Sequence, residues 1–113
     1  PGLAKAAMLA VVDGQEWDIT REIEGDSSLA LLTEKDDTIL DTIRHDAAHV
    51  MAEAVLELYP ETQVTIGPSI ENGFYYDFHR ETAFSDEDLA AIEARMHEIV
   101  DRDEPIIRNV WTP

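Results

Sequence analysis

Between Thr38 and Leu58 the apolar residues Ile39, Leu40, Ile43, Ala47, Val50, Met51, Ala54 and Leu58 recur every three or four positions. That spacing follows the helical repeat and predicts one long helix with a buried stripe, ended by Pro60. A second helical pattern, Leu89, Ile92, Met96 and Ile99, lies behind Ser85, Asp86, Glu87 and Asp88. Ser85 is a good N-cap, and the three acids suit the positive end of the helix dipole. Pro105 is expected to stop this helix.

Shorter runs predict strands. Leu9 to Val12 and Gln15 to Ile19 flank Asp13-Gly14, a pair that favours a tight hairpin. Gly25-Asp26 marks a turn, and Ser28 to Thr33 reads as a third strand before the charged stretch Glu34-Lys35-Asp36-Asp37, where a domain boundary is expected. Gln63 to Ile70 and Phe74 to Phe78 form a second expected hairpin around Glu71-Asn72-Gly73, with Asn-Gly supplying positive backbone angles. Ile106 to Trp111 is expected to form a last strand. The elements together predict an α+β fold, and neither an internal repeat nor a low-complexity segment is present.

Composition narrows the function classes. The 113 residues carry 25 acids against 8 basic side chains, a formal charge of -17 spread along the chain. Such a field repels polyanions, so these residues alone are expected to bind RNA or DNA weakly, whatever a larger protein around them does. No cysteine is present, which excludes disulfides, thiolate metal sites and cysteine nucleophiles within the segment. No apolar run approaches the roughly 20 residues that span a bilayer, and Pro1-Gly2-Leu3-Ala4-Lys5 lacks signal-peptide architecture, so no membrane association and a cytoplasmic location are expected.

The densest chemistry is His45-Asp46-Ala47-Ala48-His49. Two imidazoles four residues apart on a helix project from one face within a turn of each other. At 100° per residue they fall nearly opposite Ile39, Ile43, Val50 and Ala54, and share their face with Ala48, Ala52 and Leu56. Small and apolar neighbours suggest that something other than bulk water covers that face. Two histidines without context are more often ordinary polar residues of a packed helix. A zinc reading needs further ligands, and a zinc-protease reading is weaker still, because Asp46 stands where that motif needs Glu.

The second dense block is Ile66-Gly67-Pro68-Ser69-Ile70-Glu71-Asn72-Gly73-Phe74-Tyr75-Tyr76-Asp77. In a strand Phe74 and Tyr76 share one face, with Tyr75 and Asp77 on the other. One aromatic pair can be pure core. A buried phenol seeks a hydrogen-bond partner, and a tyrosine of this block that faces a helix with two histidines can polarise or orient them. His79 and His97 stand without partner motifs and are expected at the surface.

Arg44-His45-Asp46-Ala47-Ala48-His49, Tyr59-Pro60, Ile66-Gly67-Pro68, Asn72-Gly73-Phe74-Tyr75-Tyr76-Asp77 and Glu93-Ala94-Arg95-Met96 resemble, in order and spacing, the editing domain of bacterial threonyl-tRNA synthetases. Pro1 to Ala6, Asp13-Gly14 and Thr33-Glu34-Lys35-Asp36 resemble the later part of the β-grasp (TGS) module that precedes it. The resemblance implies a fragment from the amino-terminal side of such an enzyme: a partial β-grasp segment at residues 1–35 and the first part of the editing domain at 36–113. It implies that the parent joins threonine to tRNA with ATP and hydrolyses mischarged seryl-tRNA in the editing domain. His45 and His49 would hold the terminal adenosine and position or activate water, with Tyr76 in support. The family completes that pocket with a Cys and a His in a second motif that these residues do not include, so the segment alone is expected to be inactive. ATP and zinc are implied for the parent's catalytic domain and no cofactor for this segment; the parent is expected to be a homodimer. The truncated β-grasp strands would expose edges that favour self-association. Two competing readings remain: a noncatalytic regulatory or tRNA-docking module, and a metal-dependent hydrolase using the HxxxH pair.

Overall fold

The computed structural model describes residues 2–113. It is an α+β fold that divides into two compact units, one up to His45 and one from Asp46. The division falls inside a single long helix.

In the first unit a short helix α1 (Gly2–Ala6) leads into β1 (Ala7–Val12), followed by β2 (Gln15–Trp17) and β3 (Leu29–Thr33). The sheet is antiparallel throughout, in the order β2-β1-β3. Val12 pairs with Gln15 across Asp13 and Gly14, whose φ values of 49° and 81° place both central residues in the left-handed region. This is the backbone a two-residue hairpin loop needs to match strand twist, and it is why Asp-Gly stands there. Asp13 also ties the loop to the approach of β3: its amide donates to the Ser28 carbonyl at 2.9 Å, and its Oδ1 accepts from the Ser28 amide at 2.8 Å.

The expected second strand stops short of Ile19. Asp18 Oδ1 accepts from both the amide and the hydroxyl of Thr20, at 2.7 and 2.6 Å, and this local turn pulls the chain off the sheet and leaves Ile19 exposed. The buried apolar positions of this unit, among the described residues, are Ala10, Val12 and Ile39.

Helix α2 (Asp37–Leu58) matches the predicted long helix to within a residue. Its burial does not follow the predicted stripe throughout. Leu40 and Ile43 are exposed, whereas Ala48, Ala52 and Val55, at spacings of four and three, are buried beside Ala54. Small side chains let a backbone approach closely, and packing has selected that line over the larger apolar residues near the start of the helix.

In the second unit α2 passes into β4 (Gln63–Val64), β5 (Ser69–Ile70), β6 (Gly73–Phe74), β7 (Phe78–His79) and α3 (Asp86–Asp101). The predicted strand from Gln63 to Ile70 is in fact two short pieces: β4 pairs with β7 and β5 with β6, both antiparallel. Gly67-Pro68 lies between the pieces, where a proline lacks the amide a ladder would use. Bonds from the Thr65 amide to the Asp77 carbonyl and from the Asp77 amide to the Ile66 carbonyl carry the pairing past β4. The hairpin loop is Glu71-Asn72, with Gly73 already paired to Ile70. The positive angles expected of Asn72-Gly73 do not occur; among the described residues positive φ is confined to Asp13, Gly14 and Asp103.

Helix α3 opens on the predicted N-cap. Ser85 Oγ accepts from the Asp88 amide, and the Asp88 carboxylate accepts from the Ser85 amide, a reciprocal capping box. Its buried residues are Ile92 and Ile99, with Met96 half-buried and Leu89 exposed. Ala54, Val55, Ile92 and Ile99 form one core cluster, flanked by Met51, Leu58, Tyr59, Phe78, Phe84 and Met96. After Asp101 the expected strand Ile106–Trp111 does not form: the residues pair with nothing regular, and Ile106, Ile107, Val110 and Trp111 are all strongly exposed. A strand needs a neighbour to satisfy its backbone, and β-prone composition alone supplies none.

Candidate active-site groove

His49, Ala52, Glu53, Leu56 and Glu57 of α2 line an open groove of about 610 Å³, together with Val64 and Tyr76 from the hairpin region. Helical spacing explains the α2 side: positions 49, 52, 53, 56 and 57 advance by three and four residues and so share one face. The structure therefore brings together two of the three predicted site residues, His49 and Tyr76. Both histidines are exposed, and the third residue, His45, one turn earlier on α2, does not line this groove. Ala52, expected to share the histidine face, is buried in the groove wall, and Ala48 is buried as well. His79 and His97 are exposed, as predicted.

Tyr76 is held by what lies on either side of its ring. A Cβ added at Gly67 would overlap Cδ2, Cε2 and Cγ of Tyr76, so the phenol sits directly against the Gly67 backbone. On another side the Tyr76 and Phe78 rings stack, with centroids 4.8 Å apart and planes 15° from parallel. Phe78 meets Phe84 edge-on at 6.0 Å, and Phe84 meets Tyr59 edge-on at 5.8 Å. These aromatic contacts run from the groove wall into the packing around the helical core, which fixes Tyr76 by rigid side chains rather than by a long ladder.

The far end of the groove is charged and locked. Arg102 grips Glu57 with two hydrogen bonds, Nη1 to Oε2 at 2.8 Å and Nη2 to Oε1 at 2.7 Å, and Arg95 Nη1 adds a third at 3.2 Å. The Arg102 bonds, with Arg95 behind them, outweigh the penalty of partial burial and hold the Glu57 carboxyl down to about 2. The same pairing raises the Arg102 guanidinium. A second fastener joins the end of α2 to the start of α3. The Tyr59 hydroxyl donates to Asp88 Oδ1 at 2.8 Å, and Arg80 lies 4.1 Å over the Tyr59 ring while its Nη1 reaches Asp88 Oδ2 at 3.4 Å. Bonds from the Ser85 amide first and the Tyr59 hydroxyl second lower the Asp88 carboxyl, and the same Asp88 contact raises the Tyr59 hydroxyl.

Sequence reasoning missed Glu53, Glu57 and the two arginines. Their signal was present as helical phase: Glu53 and Glu57 continue the His49 face, and Arg95 and Arg102 lie seven residues apart on one side of the third helix and the residue that caps it. Gly67 was read as a turn residue, whereas its role is to leave room for Tyr76. Chemically, the groove offers an imidazole, a phenol and two carboxylates around an apolar floor, enough to position a polar ester or a water beside it.

No family model matches the chain. It is 60% identical over 109 residues to a threonine–tRNA ligase of Maricaulis maris, an alignment that covers 96% of the chain and 17% of the relative. It is 63% identical over 112 residues to the threonine–tRNA ligase of Paramagnetospirillum magneticum, covering 98% of the chain and 18% of the relative. Against the threonine–tRNA ligase of Thiobacillus denitrificans the identity is 63% over 111 residues, again 98% of the chain and 17% of the relative. The chain thus spans under a fifth of the length of these curated relatives.

Proposed function

The chain is homologous, over nearly its whole length, to one segment of threonine–tRNA ligases, and on that premise we propose that it begins the hydrolytic editing site of such an enzyme. The observation that carries this reading is the meeting of His49 and Tyr76, from a helix and a hairpin distant in sequence, on the walls of one groove. In this reading residues 1–35 are the end of a β-grasp (TGS-like) module and 36–113 the first part of the editing domain, both from the amino-terminal side of the parent.

The parent would attach threonine to its tRNA using ATP, as a cytoplasmic homodimer. A pocket that accepts threonine rejects serine only weakly, because a missing methyl group changes binding by about 1–3 kcal/mol. A second, hydrolytic site supplies the remaining discrimination. There the ester between serine and the terminal adenosine of tRNA is opened by water: the water oxygen bonds to the carbonyl carbon, one of the imidazoles His45 and His49 takes the water's proton, and the bond to the ribose oxygen breaks with that oxygen regaining a proton. Tyr76, wedged between Gly67 and Phe78, orients the reacting groups. The Cys and His of the family's second motif complete the pocket, so the segment alone does not turn over. ATP and zinc act in the catalytic domain and draw no ligand from this segment. The segment by itself binds tRNA weakly, given its charge of -17, and self-associates through uncovered strand edges.

The test is deacylation by the full-length ligase, wild type against His45→Ala and His49→Ala. Loss of about a hundredfold or more on seryl-tRNA, with threonine attachment retained, is the expected result. Unchanged seryl-tRNA hydrolysis in both variants would sink the reading and favour a noncatalytic docking module. Stoichiometric zinc in this segment that disappears with either histidine would favour the metal-dependent alternative instead.

A further inference from the structure

We infer that Glu53 selects for the free α-ammonium group of the aminoacyl ester in the groove, an assignment that rests on the editing role proposed above and adds a charge requirement to it. Glu53 lies one helical turn beyond His49 and lines the same groove. The step along the axis is roughly 6 Å. In an aminoacyl ester the α-nitrogen stands only two bonds from the carbonyl carbon, so two side chains on successive turns can face the two groups at once.

The groove carries a second carboxylate, and the difference between the two singles out Glu53. Both oxygens of Glu57 are taken by the Arg102 guanidinium, with Arg95 on Oε1, and its charge is balanced by theirs. Glu53 is exposed to solvent, enters no hydrogen bond or ion pair with the described residues, and meets Arg102 only through its longer-range field. Apart from His49, the other groove residues, Ala52, Leu56, Val64 and Tyr76, bring no charge. A cation entering the groove therefore meets one uncommitted anionic oxygen pair, one helical turn from the His49 imidazole. A charge-assisted bond from an ammonium to a carboxylate is shorter and stronger than one between neutral groups, which makes it suited to recognising a group common to all aminoacyl esters.

The experiment compares two esters of the same tRNA on the full-length ligase. One carries serine; the other carries glyceric acid, which has a hydroxyl in place of the ammonium. For Glu53→Gln, which keeps the shape and removes the charge, the ratio of KM for the seryl ester to KM for the glyceryl ester rises about tenfold over wild type. His49→Ala is measured alongside. If Glu53→Gln weakens both esters equally, or neither, while His49→Ala still suppresses seryl-tRNA hydrolysis, the ammonium assignment is overturned and the editing role stands. Full hydrolysis by His49→Ala, with His45→Ala likewise unimpaired, overturns the editing role, and the assignment with it.

Discussion

The unit up to His45 and the unit from Asp46 hold their shapes by different means. In the first, β1 pairs with β3 over most of its length and with β2 through three residue pairs, so backbone bonding dominates, while the buried apolar positions are only Ala10, Val12 and Ile39. In the second, no strand exceeds two residues. Side chains do the fastening there: the core of Ala54, Val55, Ile92 and Ile99, the aromatic series from Tyr76 to Tyr59, and the clamps of Arg102 on Glu57 and Tyr59 on Asp88. Backbone ladders tolerate most side-chain changes. A groove walled and held by side chains is sensitive to single substitutions, and the candidate site lies in that second region.

The largest way to test this contrast is Ile92→Ala. Truncating a buried core residue removes its transfer free energy and leaves a cavity, about 2–5 kcal/mol for this change. In a Trp111→Phe background, Trp17 fluorescence reports on the first region and far-ultraviolet circular dichroism mainly on the two long helices. Urea titration is expected to shift the helical transition by that amount and the Trp17 transition by much less. Equal shifts would mean that the regions unfold as one, and the contrast would dissolve. A smaller effect follows from Gly67→Ala, whose Cβ meets the Tyr76 ring. Overpacking of this kind costs about 1–3 kcal/mol. Under the editing role proposed above, the expected signature is displacement of Tyr76: lower seryl-tRNA hydrolysis by the full-length protein with threonine attachment intact. Undiminished hydrolysis would show that the position of Tyr76 does not matter to the site.

Local chemistry was legible in the sequence where one or two residues decide the structure. Asp13-Gly14 predicts its hairpin, Ser85 its cap, and the apolar period of residues 38–58 its helix, because each depends on nearby backbone geometry alone. Two local readings failed, Ile19, which the Asp18–Thr20 turn takes off the sheet, and Asn72-Gly73, where φ is not positive; the other failures lie where a distant partner decides. Leu40 and Ile43 lost the buried face to Ala48 and Ala52, and Ile106 to Trp111 found no strand to pair with. Of the groove's lining, His49 was singled out by its helical motif and Tyr76 by the family resemblance. Glu57 was not, since its role comes from Arg95 and Arg102, which lie 38 and 45 residues away along the chain.

That clamp gives the smallest expected effect and the one most specific to the second region. Glu57 ionises near 4.5 when unperturbed and near 2 in the folded protein, so between those values the unfolded chain binds more protons than the folded one at this site. Stability contributed by the clamp is then fully present above about pH 4.5 and is lost as the pH falls toward 2. The Glu57 side chain is only partly shielded, and solvent screening keeps the contribution modest. Urea midpoints followed by circular dichroism across that window should fall less steeply in Glu57→Gln than in wild type, while Trp17 fluorescence shows the same pH dependence in both. An unchanged slope in the variant would mean that the two arginines hold Glu57 no more tightly than water does. The groove would then present two uncommitted carboxylates, removing the distinction on which the role of Glu53 depends.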